Sequence, residues 1–144
     1  MSGLYLGIDH LGIAVNDLTA AQATYCELLG FAHLGAEELP ERGLGVVMLA
    51  CGDSRLELLG ARREDSEISA SLARRGEGLH HLAVRVANLE QALADLSGRG
   101  ARLIDTRPRN GAHGTRVAFV HPKGAHGVLL ELVEQPAGHG ETHE

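Results

Sequence analysis

The chain has 144 residues, of which 44% are hydrophobic and 22% charged, and its net charge at pH 7 is −6. This composition suits one soluble domain, or two small halves that share a core. The acidic balance, with two tyrosines, two phenylalanines and no tryptophan, argues against a nucleic-acid-binding protein. No apolar run reaches the roughly 18 residues of a membrane span. Two cysteines and no secretory signal predict a cytoplasmic protein without a disulfide framework.

An internal repeat is the most informative feature of the sequence. The segment HLGIAVNDL (10–18) matches HLAVRVANL (81–89) at its His, Leu, Val and Leu positions. Each segment continues into a helical stretch, and each half ends in an apolar strand with one carboxylate, RLELL (55–59) and LLELV (129–133). This agreement in order, element type and spacing predicts two copies of a βαβββ module.

The first module is expected over about residues 7–62. A strand over 8–15 is indicated by alternation and by its Ile and Val content. A capping box of Thr19 and Gln22 then predicts the start of a helix, which Gly30 ends. The remaining strands of this module are expected near 32–39, 45–51 and 54–60, with Gly52-Asp53 as a hairpin turn.

A linker helix over about 65–76 leads to the second module, about 78–135. Asn88, which aligns with Asp17 of the first module, and Gln91 are expected to begin its helix, and Gly98 or Gly100 to end it. Its later strands are expected near 101–107, 115–121 and 127–134. The predicted fold class is α+β: residues 1–144 form one domain, in which two tandem βαβββ modules build a curved mixed sheet around a metal site.

Alternation along the strands places matching polar side chains in the two modules. Successive strand residues face opposite sides of a sheet, so His10 and His81 lie beside small residues on the face away from the helix. Glu57 and Glu131 each lie between two leucines and therefore point away from the apolar layer. A carboxylate there is costly unless it is paired or binds a metal. Two imidazoles and two carboxylates suit Zn, Co, Ni, Mn or Fe(II) better than Ca.

A different interpretation is that the histidines are strand-edge polar residues and that the glutamates pair with arginines. That interpretation accounts well for a single histidine or glutamate. It accounts poorly for four residues at matched positions of a repeat, so the sequence favours a metal site.

Four segments carry a resemblance to a known family: IDHLGIAVNDL (8–18), PERG (40–43), REDSEISASLARRGEGLHHLAV (63–84) and GAHGTRVAFVHPKGAHGVLLELVEQP (111–136). They resemble the vicinal oxygen chelate superfamily, which includes glyoxalase I and the extradiol dioxygenases, and within it the methylmalonyl-CoA epimerase family. The resemblance implies metal ligands at His10, Glu57, His81 and Glu131. It also implies a divalent metal ion, Co first and otherwise Mn, Ni, Zn or Fe, an acyl-CoA substrate and a homodimer.

The resemblance further implies epimerisation of methylmalonyl-CoA, in which the C2 proton is removed and returned through an enolate stabilised by the metal. Inversion needs a base on one face of the carbon and an acid on the other. The resemblance places these groups at Glu41 and Glu131. From the residues alone, the simpler interpretation of Glu41 is a solvated acidic run with Glu37 and Glu38.

Several other residues and functions stay open at this level. Arg85 is expected either to meet the substrate carboxylate or to be a surface charge, and Lys123 either to meet a CoA phosphate or to be a surface charge. His80 is expected to be structural, and His121 to belong to the HPK turn. The rival functions are a glyoxalase I-type lactoylglutathione lyase, an extradiol dioxygenase with an Fe(II) site, and a non-catalytic binding protein of the same fold.

Overall fold

A computed structural model describes residues 4–137 of the chain, which fall into two units. One unit consists of residues 10–80, and the other of residues 4–9 together with residues 81–137. Strands β1 (Tyr5–Val15) and β5 (Gly78–Val86) contribute residues to both. Within residues 4–137 no helix has the length and apolar character needed to span a membrane. The sequence AGHGETHE (137–144) is expected to be a frayed tail, and apart from its first residue, Ala137, it lies outside the described residues.

The unit of residues 10–80 contains, in chain order, the end of β1, α1 (Leu18–Gln22), a π-helix (Ala23–Leu28), β2 (Ala32–Leu39), β3 (Leu44–Cys51), β4 (Ser54–Ala61) and α2 (Glu67–Arg75). Its strands form a mixed sheet with the order β2-β3-β4-β1. Strands β1 and β4 are parallel, whereas β2 with β3 and β3 with β4 are antiparallel. The β3–β4 hairpin turns at Gly52, where φ is +61°.

The apolar core of this unit lies between one face of the sheet and the helical stretch. Val15 and Leu58 are buried there with Leu18 of α1. Partly buried residues that pack against them are Ile13, Ala21, Tyr25, Cys26, Phe31 and Leu56. The predicted alternation is therefore confirmed, because every second residue of β1 and β4 faces the helices.

The elements of the other unit after β5 are α3 (Leu89–Gly98), β6 (Arg109–Asn110), β7 (Arg116–Val120) and β8 (Leu130–Glu134). Its strands have the corresponding order, β5-β8-β7-β6. Strands β5 and β8 are parallel, and β6 with β7 and β7 with β8 are antiparallel. The same order and the same pairing senses in both units confirm the predicted βαβββ fold class.

The N-terminal ends of α1 and α3 show that one prediction is wrong and that another is confirmed. Asp17, not Thr19, caps α1, and its Oδ1 accepts a hydrogen bond of 3.0 Å from the backbone N–H of Ala20. Asn88 caps α3 in the same way, through a hydrogen bond of 3.0 Å from the N–H of Gln91. The predicted capping box at Thr19 is wrong because the helix begins two residues earlier, where the Asp17 side chain accepts one of the free N–H groups of the first turn.

The strand predicted over 101–107 does not form, and only Leu103 makes a bridge, to Val120. The backbone N–H groups of Ile104 and Asp105 both donate to Phe119 O, at 2.9 and 3.2 Å. The Asp105 side chain then accepts the N–H of Phe119 at 2.8 Å, which takes the place of a backbone ladder bond. Pairing resumes only in the short β6, after Pro108, which has no N–H to donate.

An ion pair at the start of α3 predicts a pH-dependent contribution to stability. Arg116 Nη1 and Nη2 donate to the two carboxylate oxygens of Glu90 at 2.6 and 2.7 Å. These hydrogen bonds lower the pKa of Glu90 to about 2, from 4.5. Because the folded-state pKa is depressed, the pair stabilises the protein above pH 4.5 and loses this effect as the pH falls toward 2.

We therefore expect Glu90→Gln to lower Tm at pH 7 and the difference from the wild type to shrink below pH 4.5. Because both side chains are largely exposed, at 40% and 59% for Arg116 and Glu90, the effect will be modest. Thermal unfolding followed by circular dichroism between pH 7 and pH 3 measures it. Glu64→Gln, in the exposed segment before α2, is the matched charge-removal control. A difference that stays constant across this range would contradict the prediction.

Candidate metal centre

The unit of residues 10–80 contains a buried His–Glu pair on the sheet face away from its helices. His10 lies on β1 and Glu57 on β4, and His10 Nε2 is 3.3 Å from Glu57 Oε1. Their side chains are 5% and 8% exposed. Opposite Glu57 in the parallel register is Gly12, two residues after the histidine. Because glycine has no side chain, the space in front of the pair stays open.

The unit of residues 4–9 and 81–137 contains the same pair at the repeat positions. His81 lies on β5 and Glu131 on β8, with His81 Nε2 2.9 Å from Glu131 Oε1 and exposures of 3% and 6%. Opposite Glu131 is Ala83, again a small residue two positions after the histidine. The duplicated sequence therefore gives a duplicated pair with the same atoms facing each other.

The geometry of each pair fits two ligands of one divalent ion. A metal about 2.1 Å from a nitrogen and an oxygen separates these atoms by about 3.0 Å in octahedral and about 3.4 Å in tetrahedral coordination. The observed separations of 3.3 and 2.9 Å lie close to the tetrahedral and the octahedral value, respectively. Imidazole nitrogen with carboxylate oxygen is also the donor combination that Zn, Co, Ni, Mn and Fe(II) accept.

A packing contact of His81 was not predicted from the sequence. The ring of Phe119 meets the His81 ring edge-on, with centroids 6.1 Å apart and an angle of 88°. The guanidinium of Arg109 lies over the same Phe119 ring, 5.1 Å from its centroid. Phe119 lies on β7, directly opposite Glu131 of β8 in the antiparallel register. Pairing of β7 with β8 was the signal that could have placed it beside the ligand pair.

Glu41, the proposed base, lies exposed in the turn between β2 and β3. The turn is closed by two backbone hydrogen bonds, from Arg42 N to Leu39 O at 3.0 Å and from Gly43 N to Pro40 O at 3.1 Å. Gly43 has a φ of +68°, a conformation that favours glycine. The turn thus presents the Glu41 side chain to solvent on a well-defined backbone.

Arg85, one of the open assignments, pairs with a buried carboxylate. Its Nε and Nη2 lie 3.1 and 3.0 Å from Oδ1 of Asp9, whose side chain is 2% exposed. Gln135 Nε2 donates to the same oxygen at 2.8 Å. Asp9 is a residue that the sequence analysis missed, because its partners are 76 and 126 positions away.

The remaining histidines and Lys123 fall mainly in turns. His121 is confirmed in the HPK turn, where its Nδ1 accepts the backbone N–H of Lys123 at 3.0 Å. Lys123 itself is exposed. His113 and His126 have positive φ angles of 58° and 56° in short turns, and His80 is buried. His139 and His143 lie outside the described residues.

Comparison with known proteins identifies the class. The family model of the Glyoxalase/Bleomycin resistance protein/Dioxygenase superfamily matches residues 9–119, and the chain belongs to that superfamily. The human mitochondrial methylmalonyl-CoA epimerase is 39% identical over 87% of this chain and 72% of its own length. The ethylmalonyl-CoA/methylmalonyl-CoA epimerase of Cereibacter sphaeroides is 38% identical, over 87% and 95%. Within the superfamily, the chain is a member of the methylmalonyl-CoA epimerase family.

A solved structure agrees with this assignment. A variant of the Streptomyces coelicolor methylmalonyl-CoA epimerase, in complex with 2-nitronate-propionyl-CoA, is 40% identical to this chain. The two superpose with a TM-score of 0.88 over 92% of this chain and 96% of the other. The recognition of the family from sequence segments is thereby confirmed.

Proposed function

We propose that this protein interconverts the (2R) and (2S) epimers of methylmalonyl-CoA by moving the C2 proton. The observation that carries the proposal is the buried His–Glu pair found twice, at matched register positions, in a chain of the epimerase family. His10, Glu57, His81 and Glu131 each offer a ligand atom from a buried side chain, and we assign all four to one divalent ion.

The charges of this ligand set are balanced by a divalent cation. Two neutral imidazoles and two ionised carboxylates carry a charge of about −2, which is costly in a buried position unless a cation compensates it. The donor set suits Co, Mn, Ni, Zn or Fe(II), and we propose Co as the working metal. When bound, the ion supplies Lewis-acid stabilisation of the negative charge that develops on the thioester oxygen.

Two carboxyl groups then transfer protons from and to C2. In one direction Glu41 accepts the C2 proton as the C–H bond breaks, and the electron pair remains on the substrate as an enolate. Return of a proton to the opposite face completes the inversion. We assign that step to Glu131, which enters this direction of the reaction protonated and is left ionised at its end, when the ligand set has its two ionised carboxylates. The nitronate held by the Streptomyces relative is itself a planar anion beside a thioester, which supports an enolate intermediate in this family.

The proposal includes the setting in which the protein works. We propose an acyl-CoA thioester as its substrate, a cytoplasmic location and a homodimeric assembly. Light scattering coupled to size exclusion measures the assembly directly, and a monomer at micromolar concentration would contradict a dimer.

The test is proton exchange at C2 of methylmalonyl-CoA in D2O, followed by NMR. The protein is stripped with a chelator, reloaded with Co²⁺, and its metal content measured by mass spectrometry and by the visible absorption of bound Co²⁺. We expect one equivalent of metal per chain, together with metal-dependent exchange and inversion. Stoichiometric metal without any exchange would reject the epimerase, and turnover of methylglyoxal with glutathione would then indicate the lactoylglutathione lyase.

A further inference from the structure

The turn that presents Glu41 is held by a side-chain pair to helix α2. Arg42, the next residue, donates through Nε to Glu67 Oε2 at 3.2 Å and through Nη2 to Glu67 Oε1 at 3.3 Å. The Arg42 side chain is 12% exposed and that of Glu67 33%. A bidentate pair that is partly shielded from water fixes geometry better than an exposed single contact.

The other end of the same turn is held by the segment between β4 and α2. Arg63 Nη1 donates to Pro40 O at 2.6 Å, and its Nε pairs with Asp65 at 2.9 Å. The backbone N–H of Arg62 donates to Gly43 O at 2.7 Å. A Cβ on Gly43 would lie 2.7 Å from the Arg63 guanidinium carbon, so a larger residue would displace this contact.

We propose that Arg42 and Glu67 are positioning residues that set the location of the Glu41 carboxylate during proton transfer. The inference rests on the proposed function, in which Glu41 takes the C2 proton. An exposed carboxylate on a loose turn samples many positions, and a displacement of about 1 Å can cost on the order of 100-fold in rate. Holding the backbone on both sides of Glu41 leaves only its own side-chain rotamers. Helix α2 is then a support for the catalytic turn rather than only a connection.

The experiment compares the variants Arg42→Met and Glu67→Gln with the wild type, all loaded with metal. Initial loss of the C2 proton is measured separately for the (2R) and the (2S) epimer in D2O. For the epimer whose proton Glu41 removes, we expect a loss of at least about tenfold. For the other epimer, whose proton leaves toward the opposite base, we expect a change below about twofold. KM and metal content should stay at the wild-type level.

Coupling between the two residues provides a second readout. Because they act as one unit, the double variant Arg42→Met/Glu67→Gln should lose no more than either single variant. Arg42→Lys keeps the charge but not the two-pronged geometry, so its loss should be intermediate. The matched control is Glu38→Gln. Glu38 lies on β2, and its two carboxylate oxygens accept from Nε and Nη2 of Arg62 at 3.0 and 3.1 Å, so this variant also breaks a bidentate pair. We expect this control to leave both exchange rates unchanged.

Each contrary result has a distinct meaning. Equal losses for both epimers, accompanied by a lower Tm, would show general damage and overturn the positioning role. Wild-type rates in both variants would overturn it as well. Wild-type protein that exchanges neither epimer would overturn the proposed function, and the positioning role with it, before any variant is made.

Discussion

Replacing His81 by alanine is expected to remove the metal and the epimerase activity together. The side chain supplies one of four proposed ligands and is 3% exposed, so no other group takes its place. Loss of a residue that only supports a ligand costs about 10- to 100-fold in metal affinity, and loss of a ligand should cost at least about 100-fold. His10→Ala, the repeat equivalent, should behave in the same way.

Metal content after dialysis, Co²⁺ absorption and C2 exchange are the three measurements for these variants. His81→Gln is the second variant, because glutamine removes the imidazole ligand but keeps more of the side-chain volume beside Phe119 than alanine does. His33→Ala, an exposed histidine on β2, is the control and should keep one equivalent of metal. Stoichiometric, tightly bound metal in His10→Ala and His81→Ala would refute the ligand assignment.

Glu41→Gln is expected to give the opposite combination, full metal with lost turnover. Glutamine preserves the shape of the side chain but cannot accept the proton, and removal of a general base typically costs about 100- to 10,000-fold. The loss should fall on the epimer that Glu41 deprotonates, while the other epimer still loses its proton to Glu131, from which it exchanges with solvent. Exchange of each epimer in D2O, with metal content measured on the same sample, tests this.

The control for Glu41→Gln addresses the acidic run that precedes the turn. Glu37→Gln removes a neighbouring carboxylate from β2 and should leave exchange at the wild-type rate. If Glu41→Gln retains full activity, the base lies elsewhere and the acidic run is only a solvated surface. Equal effects of the two substitutions would point to the local charge rather than to one proton acceptor.

Much of the fold could be predicted because each module repeats a simple strand pattern. The period of two in β1 and β4 separates Val15 and Leu58, which face the helices, from His10 and Glu57, which do not. The duplication then gives the same assignment of strand faces twice. A residue pattern that occurs by chance in one module is not expected at the same position of the other. For that reason both His–Glu pairs could be located from the sequence.

The errors have a common physical cause, which is local competition for backbone groups. Asp17 displaces the predicted cap at Thr19 because its carboxylate reaches the same N–H groups. The Asp105 carboxylate likewise accepts the N–H of Phe119, which takes the place of a backbone hydrogen bond between strands. The π-helix over Ala23–Leu28 also was not predicted, and in it Leu29 N donates to Thr24 O, five residues back. Such side-chain hydrogen bonds to the backbone, and a local change from α- to π-helical hydrogen bonding, leave no periodic pattern of residues in the sequence.

The contacts around the site were missed for a different reason. Arg42 and Glu67 are 25 residues apart, and Asp9 and Gln135 are 126 apart. Charged residues of both signs occur throughout the chain, so composition and spacing do not indicate which of them meet. These pairings depend on how the elements fold back on each other, and only the folded structure shows them.

The division of the chain into units also fixes an order of events during synthesis. Residues 4–9 are synthesised well before the residues with which they make their contacts. Leu4 O accepts the N–H of Ala87 at 2.8 Å, and Asp9 meets Arg85 and Gln135. The unit of residues 10–80 has all its residues once translation passes residue 80, whereas the other must wait for Gln135. The Asp9 carboxylate thus stays hydrated until Arg85 has been synthesised, and its second hydrogen-bond donor, Gln135, follows later still.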